Sequence, residues 1–409
     1  MQRALLLFSA LFSLYACTST VPQVQPSPPA KAVEQPAAVP PPVETPVPAP
    51  APVETLPLPV PAPIVLPNIT PFPHIALLLP VKSAIFGPAA EAVQKGFFAA
   101  ASINDKSLIM PVRVYSDFDE NNSVVAAYRQ AIANGARAVV GPLTRNGVSA
   151  LAAEKDIPVP TLALNIADGQ FAPQLYFFGM AIEAEARQVA QLAKRQGLHQ
   201  AIIVTTNTPL SLRLQAAFEE EWTNSAHGAD RGILREIEYD GDPSVFADIA
   251  DITDTMVFLA ADAANSRLIR PYLPNKLPVY ATSQVFTGND NTLANYDMNG
   301  IHFVDMPWML QPDHPAVMIY PHPNPPLTAS QERLYALGID SYRLIELLIT
   351  GTINNDLPLD GVTGQISLNG HDFERTAVPA VFAQGHAQLG DAPAAPPSQM
   401  FPPQPITPP

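Results

Sequence analysis

The 409-residue sequence contains a single cysteine, Cys17, so it can form neither an intramolecular disulfide nor a thiolate metal site. Basic residues are also scarce: 22 Lys and Arg stand against 37 Asp and Glu, which gives a formal net charge of −15. This balance argues against nucleic acid and an anionic membrane surface as partners, because both bind clustered basic residues. It favours a basic partner, although an acidic balance can also serve solubility alone.

The motifs of several enzyme classes are missing. The sequence has no G-x-S-x-G elbow, no GK[ST] phosphate loop, no G-x-G-x-x-G fingerprint and no H-E-x-x-H zinc motif. His302, His314, His322 and Asp313 form a loose group, but neither their spacing nor their proline-rich surroundings define a coordination geometry. We therefore expect a protein that is not an enzyme and that has no cofactor and no metal site.

The residues before Cys17 have the pattern of a lipoprotein signal. Arg3 gives a short positive segment, and residues 4–14 form an apolar stretch of signal-peptide length. This stretch is too short for a membrane span, which needs about 20 apolar residues. We expect residues 1–16 to be removed and the Cys17 thiol to be lipidated; an ordinary signal with a free thiol is the alternative. A Thr-Ser pair follows the cysteine instead of an aspartate, which is typical of sorting to the outer membrane.

Residues 17–73 have the composition of a disordered linker. Proline occupies 19 of residues 18–73, with mainly Ala, Val, Gln and Glu between the prolines. Such a segment lacks the apolar side chains to form a core and favours extended polyproline II. At ~3.1 Å per residue it would reach on the order of 150 Å, which would hold a folded unit well away from its anchor. Residues 387–409 are proline-rich again and are predicted to be a disordered tail.

Residues 74–386 alternate between strand and helix patterns. They begin with a buried strand at 75–79, followed by a loop and by apolar residues at helical spacing. Repeated βαβ units predict parallel sheets with helices on both faces. Because about 310 residues exceed what one core usually holds, we expect two lobes joined by chain crossovers. A long helix at about 330–349 is preceded by Thr328, which forms a capping-box pattern with Gln331.

Eight segments of this region carry a family resemblance. They are IALLLP at residues 75–80, QKGF at 94–97, VGPL at 140–143, LALN at 162–165, PVYATS at 278–283, NGIHFVDMPW at 299–308, LYALGIDSYRL at 334–344 and GVTG at 361–364. Together they resemble the penicillin-binding-protein activator lipoproteins, the LpoA or LppC family. The resemblance implies a type I periplasmic-binding-protein-like α/β fold with two lobes, each built on a mostly parallel sheet flanked by helices. Lobe 1 is expected at about 74–180 and 300–345, and lobe 2 at about 181–299 with part of the C-terminal segment.

The resemblance also implies a function. Members of the family are outer-membrane lipoproteins, facing the periplasm, that bind and activate a bifunctional penicillin-binding protein, a peptidoglycan synthase, in cell-wall synthesis. Larger members carry a helical-repeat domain between the lipid and this domain, and here only the linker is expected in that place. One alternative is a periplasmic receptor that binds an amino acid or short peptide for an ABC-type transporter. Another is a lipoprotein that binds peptidoglycan without affecting its synthesis.

A cleft between the lobes is expected at the carboxyl ends of strands, beside helix N-termini. Six residues are predicted to face it: Ser83, Thr144, Arg145, Asn146, Leu164 and Asn165. Thr144 could offer a hydroxyl, Arg145 a charge-assisted bond to an anion, and Asn165 both a donor and an acceptor. In the structural alternative, Thr144 and Asn146 cap a helix, Asn165 turns the chain and Arg145 lies on a solvated face. Trp308 is interpreted as an anchor in the core or at the lobe junction, or as a contact for a partner.

Overall fold

The computed structural model describes residues 71–103, 110–116, 123–224, 233–249 and 253–390. The predictions for Cys17, the signal and most of the two proline-rich segments lie outside these ranges. The strands, β1 to β15, are His74–Leu78, Val112–Tyr115, Ala136–Val140, Thr161–Ala163, Leu175–Phe177, Gln200–Thr205, Ile233–Glu238, Thr255–Ala260, Val279–Ala281, Ile301–Asp305, Leu359–Asp360, Gln365–Asn369, Asp372–Thr376, Val378–Ala383 and His386–Leu389. The α-helices, α1 to α11, are Gly87–Ile103, Val124–Ala133, Arg145–Ala152, Ile182–Arg195, Pro209–Asn224, Ala263–Ile269, Thr292–Tyr296, Pro307–Leu310, Pro315–Met318, Ala329–Thr350 and Ile353–Asp356. None of these helices has the length and apolar character that crossing a membrane requires.

The strands form two sheets. The first has the order β11-β12-β13-β5-β4-β3-β1-β2, and the second has the order β15-β14-β10-β9-β8-β6-β7. Pairing is parallel from β5 to β2 and from β10 to β7, whereas the strands contributed by residues 359–389 pair mostly antiparallel. Buried residues of α1 and α10 cover one face of the first sheet, and those of α2 and α3 cover the other. The second sheet has α4 and α5 on one face and α6 on the other. The predicted two-lobed α/β fold is confirmed, and the two sheets with their helices are called lobe 1 and lobe 2.

Within the described residues the chain passes between the lobes three times. It does so from β5 to α4, from β10 to α8 and from β13 to β14. The strand Ile301–Asp305 belongs to lobe 2, because it pairs in parallel with Val279–Ala281. The prediction that it belongs to lobe 1 is wrong. The fold also extends beyond the expected boundary at residue 386, since His386–Leu389 pairs with β14 as an edge strand. Pairing partners of this kind are not encoded in the local apolar pattern.

Lobe 1 is organised around the contact between α1 and α10. A Cβ at Gly96 would overlap the carbonyl oxygen of Tyr335, and one at Gly338 would overlap the carbonyl oxygen of Val93. The two helices therefore meet backbone to backbone. The predicted capping box of Thr328 is confirmed at the start of α10, and its hydroxyl accepts a hydrogen bond from the backbone N–H three residues later.

Candidate functional site

Five of the six predicted cleft residues line a cavity of about 420 Å³ in lobe 1. It lies at the carboxyl ends of β3 and β4, between the N-termini of α1 and α3 and the side of α10. Its lining is mostly apolar: Phe86, Ala89, Leu143, Leu164, Met180, Leu334 and Leu337 surround it, with Thr144, Arg145, Asn146 and Asn165 as the polar members. Ser83 is the exception. Its hydroxyl accepts hydrogen bonds from the backbone N–H groups of Ile85 (3.3 Å) and Phe86 (3.1 Å) in the turn before α1.

The polar groups at this cavity already have partners within the protein. Thr144 Oγ1 accepts a hydrogen bond from Gly147 N at 3.2 Å and thereby caps α3. Asn165 Nδ2 donates to the carbonyl oxygen of Leu143 at 3.1 Å, and its Oδ1 accepts from Ile166 N at 3.0 Å. An amino-acid zwitterion needs donors for its carboxylate and acceptors for its ammonium group. Because the side chains of Thr144 and Asn165 are hydrogen-bonded within the protein, the cavity suits an apolar group better than an amino-acid zwitterion.

Arg145 takes part in a contact between the lobes. Its Nη2 lies 3.7 Å from Oε1 of Glu183, at the start of α4. The same carboxylate oxygen accepts a hydrogen bond from Nε of Arg213 in α5 at 2.8 Å and lies 2.7 Å from Nη2 of that arginine. An anionic ligand at Arg145 would have to compete with this carboxylate.

A buried ion pair joins the lobes at the second crossover. Arg333 of α10 donates to both carboxylate oxygens of Asp305, at 3.0 Å from Nε and 2.6 Å from Nη2. Its Nη2 also reaches the carbonyl oxygens of Ser283 and Phe286 in lobe 2. The Arg333 and Asp305 side chains are 6% and 1% exposed. Burial raises the pKa of Asp305, and the nearby Arg333 charge opposes this rise.

A second buried pair joins the lobes beside the first and third crossovers. Arg375 Nη2 of β13 donates to Oε1 of Glu185 in α4 at 2.6 Å, and both side chains are 5% exposed. Glu185 Oε2 accepts from the backbone N–H of Ser283 at 3.0 Å. Both pairs therefore contact Ser283, one through its carbonyl and the other through its N–H. Sequence reasoning missed these residues because 28 and 190 positions separate the partners and no local pattern marks them.

Trp308 lies just after the second crossover and is 4% exposed. Its indole Nε1 donates to Glu332 Oε2 at 2.8 Å, and its ring packs against the rings of His322 and Tyr335. Its backbone N–H donates to the carbonyl oxygen of Val362. A side chain this deeply packed in lobe 1 offers little surface to a partner.

The histidines that form a loose group in the sequence lie apart in the structure. His302 lies in the sheet of lobe 2 and stacks on Tyr280. His314 caps α9 and His322 packs on Trp308, both in lobe 1. In the ranges that the structure covers, no group of three His, Cys, Asp or Glu side chains is placed to hold a metal ion.

The fold and the cleft define a class: two α/β lobes joined by three crossovers, with a cavity at the strand ends, form a type I periplasmic-binding-protein-like protein. The profile of the family described as "LppC putative lipoprotein" matches residues 62–254 and 245–377, which is more than half of the chain. The chain belongs to this family.

Named relatives are consistent with this assignment. The chain is 24% identical over 331 residues to the penicillin-binding protein activator LpoA of Photobacterium profundum, which covers 72% of this chain and 53% of that protein. The chain thus spans about half the length of the curated relatives it matches. Among solved structures it resembles the LpoA (YraM) C-domain from Haemophilus influenzae, a regulator of PBP1A, with a TM-score of 0.62, 25% identity and coverage of 78% of this chain and 99% of that one.

Another similar structure has a different description. It is that of a "putative branched-chain amino acid ABC transporter" from Chromobacterium violaceum, with a TM-score of 0.65 and 36% identity. The match covers 75% of this chain and 99% of that one. The fold is therefore shared by proteins described as regulators and by proteins described as parts of transporters.

Proposed function

We propose that this chain is a regulatory lipoprotein that binds a bifunctional penicillin-binding protein, a peptidoglycan synthase, and raises its activity. The observation that carries the proposal is the similarity to the LpoA C-domain, since the matched region includes almost all of that domain. The LpoA relatives are named as activators of penicillin-binding proteins. A role in regulation, and not in catalysis, also agrees with the absence of the enzyme motifs sought in the sequence.

The cleft of lobe 1 supports contact with a protein more than capture of a polar solute. Its cavity is lined mainly by apolar side chains, and the side chains of Thr144 and Asn165 are hydrogen-bonded within the protein. Phe86, which lines the cavity, is 39% exposed, and the neighbouring Ile85 is 81% exposed. Exposed apolar side chains next to an apolar cavity are typical of interaction sites. We propose that this rim, Ile85 and Phe86, contacts the synthase.

The test is a synthase assay with the full chain. Polymerisation of lipid-linked precursor and peptide cross-linking are measured for candidate bifunctional synthases as the protein is titrated. The rate of one or both reactions should rise and saturate. Ile85→Glu should weaken this stimulation by at least about tenfold, because it puts a charge into an apolar contact. Leu293→Glu is the matched control, since Leu293 is 82% exposed but lies in lobe 2. Folded protein that stimulates no synthase would contradict the proposal.

A solute receptor is the second candidate, and the similarity to the Chromobacterium violaceum structure favours it. A receptor for branched-chain amino acids should be stabilised by leucine, isoleucine or valine, with a melting temperature that rises with ligand concentration. A regulator of the proposed kind should show no such shift. Thermal unfolding of the full chain with each amino acid therefore separates the two candidates.

We further propose that the Cys17 thiol carries the lipid and that the protein is anchored in the outer membrane, facing the periplasm. The family description as a lipoprotein and the signal pattern before Cys17 support this location. Cells that express Cys17→Ser should incorporate no labelled palmitate into the protein. The variant protein should also be absent from the outer-membrane fraction. Labelling or membrane retention equal to wild type would exclude Cys17 as the anchor.

A further inference from the structure

A second cavity, of about 530 Å³, lies between α4 of lobe 2 and β13 of lobe 1. It has no lining residue in common with the cleft cavity. Asn165 and Met180 line the first cavity, whereas the neighbouring residues Ile166, Gly179 and Ala181 line the second. The two cavities are thus separated by these two chain segments, and the second opens beside the crossovers.

Arg375 in the wall of this cavity has a hydrogen-bond donor without a partner. Its side chain is 5% exposed, and Glu185 Oε1 accepts a hydrogen bond from Nη2. The other oxygen of Glu185 accepts from Ser283 N. Among the described residues, Arg375 Nη1 is buried with no hydrogen-bond partner. Buried polar groups are almost always hydrogen-bonded, and leaving a charged donor unpaired is costly. Glu185 thus fixes the Nη2 side of the guanidinium, and the Nη1 side has no acceptor among the described residues.

The facing wall adds two further guanidinium groups. Arg187 and Arg195 lie on the same face of α4 and both line the cavity. Arg187 pairs with Glu220 at 2.8 Å, but the two side chains are 40% and 56% exposed. An exposed ion pair contributes little free energy, so Arg187 can leave Glu220 to bind a ligand. Arg195 is exposed and makes no ion pair within the part of the chain that the structure covers. Guanidinium groups bind carboxylates and phosphates through paired hydrogen bonds, which suits them to an oxyanion.

We propose that this cavity binds a small molecule through an oxyanion, a carboxylate or a phosphate group, held by Arg375 and by the arginines of α4. Its volume is in the range of small-molecule sites, about 300–1,000 Å³, so the oxyanion is one end of a larger ligand. Asp372 and Glu374 also line the cavity from β13. These carboxylates repel a second anionic group and suit an ammonium group. The site does not depend on the proposed synthase partner.

The test is calorimetric titration of the full chain with three probes: sodium phosphate, sodium acetate and triglycine, which carries an amine as well as a carboxylate. At least one should bind saturably. Arg195→Gln should weaken that binding by about tenfold, the usual effect of losing a charge-assisted hydrogen bond. Arg137→Gln, which replaces an exposed arginine of β3, should bind as wild type. Arg375→Gln should also lose binding, with circular dichroism to show whether it folds without its pair to Glu185.

The probes distinguish the two sources of an oxyanion. Tighter binding of phosphate indicates a phosphate-bearing ligand, and tighter binding of triglycine than of acetate indicates a carboxylate with an amine nearby. The comparison of Arg195→Gln with wild type is decisive, because the Arg195 side chain is exposed and its replacement leaves the buried pair of Arg375 and Glu185 intact. The proposal is overturned if none of the probes binds saturably, or if Arg195→Gln binds them as tightly as wild type.

Discussion

Two buried ion pairs connect the lobes, and their burial makes each of the four charged side chains important for stability. Arg333 and Asp305 are almost completely buried, so water can hardly solvate either charge if its partner is removed. A buried ion pair contributes little stability compared with well-packed apolar side chains of similar volume, but breaking it by removing one partner is costly. The pair between Arg375 and Glu185 has the same character.

We predict that Arg333→Met lowers the free energy of unfolding by about 3–5 kcal/mol, because it leaves the Asp305 carboxylate buried without its partner. The double variant Arg333→Met with Asp305→Leu should be more stable than Arg333→Met alone, since neither charge remains. Urea unfolding followed by circular dichroism measures both values. Arg129→Met is the control, because its pair with Glu154 has side chains that are 69% and 28% exposed. It should cost about 0–1 kcal/mol. A similar loss in Arg333→Met and in the control would contradict the prediction.

Two buried tyrosines should make the fold sensitive to alkaline pH. Burial raises the pKa of Tyr280 and that of Tyr335 from 10.0 to about 12, and in both cases the neutral hydroxyl donates a hydrogen bond. Between pH 10.0 and about 12, both tyrosine hydroxyls keep their protons in the folded state and lose them in the unfolded state. Stability is therefore full below pH 10.0 and falls as the pH rises towards about 12.

The size of this effect can be checked at Tyr280. Each of the two tyrosines should lower the free energy of unfolding by about 1.4 kcal/mol per pH unit in this range. Urea midpoints measured across the range should fall less steeply in Tyr280→Phe, which has no ionisable hydroxyl. Equal slopes in the variant and in wild type would mean that Tyr280 ionises normally in the folded protein.

Local sequence predicted the roles of some residues and could not predict others. The capping box at Thr328 and the alternative role of Thr144 as a cap depend on residues three positions apart, so the sequence contains the whole interaction. The pair between Glu185 and Arg375 depends on two elements that meet only after both lobes have formed. The six predicted cleft residues were chosen by their position at strand ends, and five of them do meet at one cavity. Their use as a ligand site stays a prediction.

At the scale of elements, α1 and α10 pack backbone against backbone in lobe 1. Gly96 and Gly338 lie where each helix meets the backbone of the other, so a side chain at either position would have no space. Both helices also bury large side chains at this contact, with Phe97 packed edge-on against Tyr342. The cleft cavity is bounded by the same two helices, so their spacing sets its shape.

We predict that Gly96→Ala destabilises the protein by about 3 kcal/mol or more, because the added methyl group overlaps backbone that cannot move aside. This loss should occur although alanine favours a helix over glycine. Urea unfolding measures it. Gly390→Ala is the matched control, since a Cβ there meets its nearest neighbours at 3.5 Å, an ordinary contact distance. A stability within about 0.5 kcal/mol of wild type in Gly96→Ala would show that the helices can separate at low cost.

The sequence predicted the repeated βα units, but it did not predict the hairpin of β11 and β12. Residues 361–364 form the turn between these two strands. Buried Asp340 accepts hydrogen bonds from the backbone N–H groups of Val362 and Thr363 and so fixes this turn to α10. Gly364 has a φ of 134°, which other residues rarely adopt. The apolar pattern does not indicate that a side chain 22 positions before Val362 holds the turn.

At the scale of the whole molecule, the three crossovers are fixed by side chains from both lobes. Arg333 and Arg375 of lobe 1 reach carboxylates of lobe 2, and Gln188 of lobe 2 exchanges two hydrogen bonds with the backbone of Ala377 at the third crossover. Rotating one lobe against the other would disrupt all of these contacts at the same time. If opening costs about 3 kcal/mol, the open state is populated at less than about 1%. Contacts of this kind favour a single arrangement of the lobes, and we expect this arrangement to suit a regulator better than a receptor that closes on its ligand.

We predict that the distance between the lobes has a single narrow distribution in solution. Spin labels at Ser149 of α3 and Leu212 of α5, both exposed, report it by pulsed electron resonance on the full chain with Cys17 replaced by serine. Leucine, the ligand suggested by the transporter-like relative, should leave the distribution unchanged. Adding Arg333→Met with Asp305→Leu should broaden it, because the apolar pair cannot hold the carbonyl groups of Ser283 and Phe286. A distribution that is broad in the otherwise wild-type protein, or that shifts with leucine, would mean that the crossovers act as a hinge and would move the receptor function ahead of the regulator.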